Sequence, residues 1–199
     1  MGKKKIIVAT GNKNKLREIS EMLPDYEIIG YKEFFDEEIE ETGDTFYENA
    51  LIKARTVGER LKVSALADDS GLCVDALGGA PGVKSARYAE ADCGGHNDDR
   101  NIDLLLKNLA GVTERGARFK CCMVYYSDKG DILTATGEVS GEITLKREGT
   151  NGFGYDPVFY SYELKKTMGE ATAEEKNSVS HRKRALEKII ELIENYEKG

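Results

Sequence analysis

The residues Thr10, Gly11, Asn12, Lys13, Asn14 and Lys15 sit between a short apolar run and an amphipathic stretch. A strand-to-helix corner built this way suits an anion. The first amide N–H groups of a helix lack intrahelical partners and carry partial positive charge. Gly11 lets a ligand approach the backbone closely. Lys13 and Lys15 add point charges, and Thr10 and Asn12 add hydrogen-bonding groups. The spacing G-x-x-x-x-G-K-[ST] of the common phosphate loop is absent. A capped helix with solvated lysines would use the same residues, so the choice rests on the rest of the chain.

Four further stretches carry chemistry. In "ADDSG", Asp68 and Asp69 end an apolar run. Ligands collect at strand ends in α/β folds, and consecutive strand residues face opposite ways, so one carboxylate of the pair points into a given cleft. The other could brace a turn. The acidic loop offers Glu37, Glu38, Glu40 and Glu41 as oxygen ligands. Mg²⁺ takes one or two carboxylates and completes its shell with phosphate oxygens and water. In "TNGFGYDPVFY", Gly152 and Gly154 bracket Phe153, a ring placed to stack on a base. Tyr155 and Asp156 follow. In "EEKNSVSHRKRAL", Lys176 is a candidate phosphate contact, and His181 and Arg182 can donate to a carbonyl oxygen. Phosphate donors, metal ligands, a stacking ring and base-edge donors together fit a nucleoside triphosphate.

The hydrophobic pattern predicts the elements that position these groups. "KIIVAT" reads as a buried strand. Leu16, Ile19 and Leu23 mark a helix ended by Pro24, and "YEIIGY" a second strand, giving a β-α-β unit. Residues 33–44 read as loop. Thr45 and Glu48 fit a capping box ahead of the stripe Ala50, Ala54, Val57 and Leu61. Residues 64–82 read as strand, turn at Asp69-Ser70-Gly71, and strand. Ile102, Leu105, Leu106 and Leu109 mark another helix. Asp128-Lys129-Gly130 reads as a hairpin turn, and Leu186, Ile189, Ile190 and Ile193 mark a C-terminal helix.

Composition narrows the partners. The chain has 199 residues and a formal charge of −7, which disfavours a surface tracking along nucleic acid. No stretch approaches a membrane span, and the basic start is followed by an apolar run too short for a signal peptide, so the expected compartment is the cytoplasm. Cys73, Cys93, Cys121 and Cys122 form no C-x-x-C pair, and His96 and His181 are the only histidines. The cysteines are expected to be reduced thiols packed as small hydrophobes, with Cys121 and Cys122 on opposite strand faces.

The stretches "TGNKNK", "EETGDTFYENALIKA", "ADDSGLCVDALGGAPGVKSARY", "GTNGFGYDPVF" and "EEKNSVSHRKRAL" together resemble the inosine/xanthosine triphosphate pyrophosphatases, the Ham1-like family. The resemblance implies an α/β fold: an elongated mixed β-sheet whose helices form two lobes around a central cleft, a single two-lobed domain over residues 1–199. It implies Mg²⁺-dependent hydrolysis of dITP, ITP and XTP to monophosphate and pyrophosphate by a homodimer. It further implies that residues 10–15 hold phosphates, Asp69 accepts a proton, and Ser70 touches substrate. Glu40 would join Asp69 at the metal. Phe153, Gly154, Tyr155, Asp156, Lys176, His181 and Arg182 would line the nucleotide. A Maf-like pyrophosphatase for other nucleotides, and a nucleotide sensor without chemistry, are the alternatives.

Overall fold

The apolar run after Lys4 forms strand β1 (Lys4–Val8), which pairs in parallel with β2 (Tyr26–Gly30), Lys4 opposite Tyr26 and Val8 opposite Gly30. Helix α1 (Lys13–Met22) is the crossover between them, as the spacing predicts. The computed structural model describes residues 3–90 and 97–198; Cys93 and His96 lie outside them. Helix α2 (Phe46–Leu61) opens with the expected capping box, both of its hydrogen bonds present between Thr45 and Glu48.

Strand β3 (Ala65–Val74) corrects the reading of residues 64–82 as strand, turn and strand: it passes unbroken through Asp68, Asp69, Ser70 and Gly71. A turn aspartate bonds nearby amides. Here both carboxylates are instead met by charged side chains of helices, so the backbone stays extended. Gly71 is needed for close approach, since a Cβ there would collide with the Gly82 carbonyl and the Ser85 hydroxyl.

Among the described residues the remaining elements are α3 (Asp98–Asn108), the hairpin strands β4 (Gly116–Tyr126) and β5 (Ile132–Ile143), the short strands β6 (Phe159–Ser161) and β7 (Lys166–Thr167), α4 (Ala173–Val179) and α5 (His181–Lys198). Single 3₁₀ turns occupy Tyr31–Glu33, Asp75–Leu77 and Asp156–Val158, and a longer one Gly82–Arg87. The sheet is mixed, in the order β2-β1-β3-β4-β5-β6-β7. This is the α/β class that the sequence predicts. The short strands β6 and β7 carry too few residues to show a period.

The chain divides into two compact units. One comprises residues 1–69, 121–137 and 182–199. Its sheet buries two clusters: Ile6, Val8, Leu66 and Met123 with Ile19, Leu186, Ile189 and Ile193 from α1 and α5, and Ala65, Ala67 and Val124 with Ala50, Ala54 and Val57 from α2. Cys121 belongs to the first cluster and Cys122 to the second, the opposite-face packing expected of adjacent strand residues. The other unit comprises residues 70–120 and 138–181, with a core of Leu72, Val74, Phe119, Val139, Ile143 and Phe159 under Ile102, Leu105 and Leu109 of α3. No helix among the described residues is long and apolar enough to cross a membrane.

Candidate active site

In the first unit, the corner between β1 and α1 is built as a capped helix start. Asn12 Oδ1 accepts the amides of Asn14 (2.9 Å) and Lys15 (3.2 Å), and the Asn12 amide donates to Thr10 Oγ1 at 3.2 Å. Thr10 is buried, and Gly11, Asn12 and Lys13 are exposed. A Cβ on Gly11 would make only ordinary contacts, so packing within the chain does not demand glycine there. Lys15 turns inward: its Nζ lies 3.0 Å from Asp68 Oδ2.

Asp68 and Asp69 lie on opposite faces of β3, each in its own charge environment. Asp68 is fully buried and meets Lys15 and Arg182, whose Nε lies at 3.4 Å. The guanidinium of Arg182 also binds Glu18, itself buried on α1. Burial alone would push the Asp68 carboxyl up; Lys15 and Arg182 outweigh it and hold the group well below the usual carboxylate range. Asp69 faces α2. Its Oδ2 accepts from Asn49 Nδ2 at 3.2 Å, and Oδ1 lies 3.7 Å from Lys53 Nζ. Lys53 also donates to Glu41 at 2.6 Å. Burial raises the Asp69 carboxyl, and Lys53 and Lys15 offset this only in part. Lys53 itself stays cationic: burial opposes its charge, and Asp69, Asp68 and Glu41 overcome that penalty and push its ammonium up. Neighbouring carboxylates pushed apart in this way take different roles, one fixed as an anion and the other able to exchange a proton.

In the second unit, residues 149–157 make a loop whose glycines 149, 152 and 154 all have positive φ. At Gly152 (φ 79°) a Cβ would collide with Asp156, so only glycine fits. Asp156 is buried and accepts from the Phe153 amide at 2.8 Å and from Lys176 Nζ at 2.6 Å. Lys176 is thereby held 4.4 Å from the centre of the Phe153 ring. The Gly154 amide donates to Asp98 Oδ2 at 2.8 Å, and the Tyr155 hydroxyl to the Ser85 carbonyl at 2.9 Å. Two successive amides of a glycine-rich loop thus point at carboxylates. A phosphate cradle needs those amides free and no anions behind them, so this loop is not built as one. The His181 ring stacks on Phe119, centres 5.0 Å apart and planes 13° from parallel.

The sequence model of the Ham1 family matches residues 6–192. The chain belongs to the Ham1 family. Curated relatives include proteins named dITP/XTP pyrophosphatase from Aquifex aeolicus, 48% identical over 98% of this chain and 99% of that protein, and from Treponema denticola, 46% identical over 95% and 98%. A solved structure of the Staphylococcus aureus Ham1 protein superposes with a TM-score of 0.86 at 40% identity, covering 97% of this chain and all of that one.

In this Ham1 chain the structure brings together Lys15 with Asp68 and Arg182, and Phe153 with Asp156 and Lys176. Ser70 follows Asp69 on β3 and is half-buried. Glu40 is exposed, whereas Glu41 reaches Lys53 beside Asp69. Sequence reasoning missed Lys53, Asn49, Glu18 and Asp98. A signal for Lys53 was present: it falls in the stripe of Ala50, Ala54 and Val57, where a lysine must find anions to be buried.

Asp68 gives a pH test. Its carboxyl is depressed in the folded protein, so as pH falls the unfolded chain takes up the proton first. Its stabilisation is complete above about pH 4 and falls by roughly 1.4 kcal/mol per pH unit below that. Urea titrations in chelator are expected to show a stability gap between the parent and Asp68→Asn that is flat from about pH 7 to 5 and closes below about pH 4. A gap unchanged at about pH 3 would refute the assignment.

Proposed function

We propose that this Ham1 protein hydrolyses deaminated purine nucleoside triphosphates, dITP, ITP and XTP, to the monophosphate and pyrophosphate, keeping them out of DNA and RNA. The observation that carries the reading is the pair in the middle of β3, with Asp68 locked as an anion by Lys15 and Arg182 and Asp69 raised beside Lys53 and Glu41. The near full-length match to proteins named dITP/XTP pyrophosphatase supports it.

Among the described residues no group of three or more His, Cys, Asp or Glu side chains could form a metal cage. Two carboxylates beside one lysine suit Mg²⁺, which draws its other ligands from phosphate and water. Asp69 with a glutamate of the Glu40–Glu41 pair would hold it, Glu41 being the one set beside Lys53. Bound there, Mg²⁺ supplies neutralising charge at the phosphate oxygens.

Asp69 accepts the proton of a water that attacks the α-phosphorus; the new P–O bond forms as the bond to the bridging oxygen breaks, and pyrophosphate leaves. Asp69 suits this task because burial raises its carboxyl, making it a better proton acceptor than an ordinary carboxylate. Residues 10–15 hold the phosphates, with Lys13 exposed for direct contact, and Ser70 touches substrate. Phe153 stacks on the base, with Gly154, Tyr155 and Asp156 setting its backbone and Lys176 on the ring. Hypoxanthine and xanthine present a 6-oxo acceptor where adenine has a donor, so donors from His181 or Arg182 favour them and leave adenine mispaired. The protein acts as a cytoplasmic homodimer, and its charge of −7 argues against nucleic acid as the partner.

The test offers the protein each common and deaminated triphosphate with Mg²⁺ and identifies the product. Pyrophosphate from ITP and XTP, with ATP and GTP much slower, is the expected result. Orthophosphate as first product, or tight ITP binding without turnover, overturns the reading; the second outcome is that of a sensor, and preference for pyrimidines that of a Maf-like enzyme.

A further inference from the structure

The loop 149–157 has three glycines at positive φ, and so little intrinsic shape. Its form is set by bonds. Within its own neighbourhood, the Glu148 amide donates to the Pro157 carbonyl at 2.8 Å, the Asn151 amide to the Gly169 carbonyl at 2.8 Å, and the Phe153 amide to Asp156. The bond at Gly154 is different. Its acceptor, Asp98, is the first residue of α3, remote in sequence. That helix is a firm anchor, with Ile102, Leu105 and Leu109 in the core of the unit. It also takes Arg147 just before the loop: Nη2 donates to the Asp99 carbonyl at 2.9 Å and to Asp103 at 2.8 Å. Asn101 of the same helix accepts the Ala89 amide and donates to the Ala86 carbonyl, fixing the segment whose Ser85 carbonyl receives the Tyr155 hydroxyl.

We propose that Asp98 is a positioning residue for base recognition: by accepting the Gly154 amide it ties the loop to α3 and fixes the Phe153 ring at its stacking angle. This rests on the base-stacking role proposed for Phe153. The Phe153 and Gly154 amides are consecutive, and carboxylates on two different elements hold them. Asp156 sets where the loop turns, and Asp98 sets how that turn sits on the unit. Lys176, held by Asp156, covers the ring from 4.4 Å. Freed at Gly154, the ring would sample orientations in which a base no longer stacks, at a cost to binding but not to the phosphate chemistry.

The experiment compares Asp98→Ala with Asp98→Asn, which keeps an acceptor oxygen. Two readouts are taken: the KM for ITP, and the inhibition constant of inorganic tripolyphosphate, which has no base. Asp98→Ala is expected to raise the KM for ITP about tenfold, the loss of one charge-assisted hydrogen bond, with tripolyphosphate inhibition and kcat within about twofold. Asp98→Asn should recover most of the loss. In the ligand-free protein, hydrogen exchange at Phe153 and Gly154 should rise at least about tenfold in Asp98→Ala while Leu105 is unchanged. Unchanged exchange at the loop overturns the positioning role, whether or not ITP proves to be the substrate. Faster exchange with tripolyphosphate weakened as much as ITP, or with no change in KM, overturns the link to the base. Absence of ITP turnover in the parent protein is a failure of the proposed function, and the exchange result then still decides whether Asp98 holds the loop.

Discussion

Replacing Asp69 by Asn is expected to lower kcat for ITP by about three orders of magnitude while leaving KM within a few-fold, because a positioned general base contributes roughly 10²–10⁴. The substitution keeps the shape of the side chain and an acceptor for Asn49 Nδ2, which donates to Asp69 at 3.2 Å. It removes the charge beside Lys53. Lys53→Met should produce a comparable loss by a different route. Without the ammonium, Asp69 and Glu41 stand as neighbouring anions with burial already raising the Asp69 carboxyl. Asp69 would then hold a proton more readily and be a poorer acceptor for the water's proton. The pH profiles separate the two variants. Activity of Lys53→Met should recover in part as pH rises, since alkali restores the Asp69 anion; that of Asp69→Asn should stay flat. Turnover by Asp69→Asn near the parent level in saturating Mg²⁺ sinks the assignment.

These charged groups explain where the sequence was legible and where it was not. The helices α1, α2 and α5 follow directly from apolar stripes, and the β-α-β start from two short apolar runs around one of them. The capping box at Thr45 and Glu48 fixed the start of α2 because both partners are local. Strand β3 was misread because Asp, Asp, Ser and Gly in succession are turn residues when only neighbours in sequence are considered. What keeps them extended is supplied by Lys15, Lys53 and Arg182, distant in sequence. Arg182 shows the usable signal. It lies four residues before Leu186, seven before Ile189 and eleven before Ile193, on the buried face of α5. A charge on an apolar stripe predicts a buried partner of opposite sign, without saying which acid provides it. Asp98 carries no such mark, since an aspartate at a helix start is satisfied by the helix itself.

The second large effect is on stability. Arg182 is among the largest fully buried side chains, and it meets Glu18 and Asp68 while Lys15 meets Asp68. Two acids and two bases make this cluster neutral as a whole. Arg182→Met leaves Glu18 and Asp68 buried against Lys15 alone, and breaking a buried pair from one side costs about 3–5 kcal/mol. Urea denaturation in chelator should register a loss of that size. Adding Glu18→Leu to Arg182→Met should return part of it, because the carboxylate orphaned by the first change is then gone and an apolar pair of similar volume replaces an ion pair. The double-mutant cycle should therefore show strong coupling, of the order of 1–3 kcal/mol. Simple additivity would mean that Glu18 and Arg182 do not depend on one another, and the cluster would then not be what holds Asp68 as an anion. The same variants bear on chemistry. Nε and Nη1 of Arg182 bind Asp68 and Glu18, so the base contact proposed for its guanidinium donors depends on how these two carboxylates hold it. Glu18→Gln retains Arg182 but loosens its hold. It should weaken ITP more than tripolyphosphate if those donors read the base, and both equally if Arg182 acts only through Asp68 and Lys15.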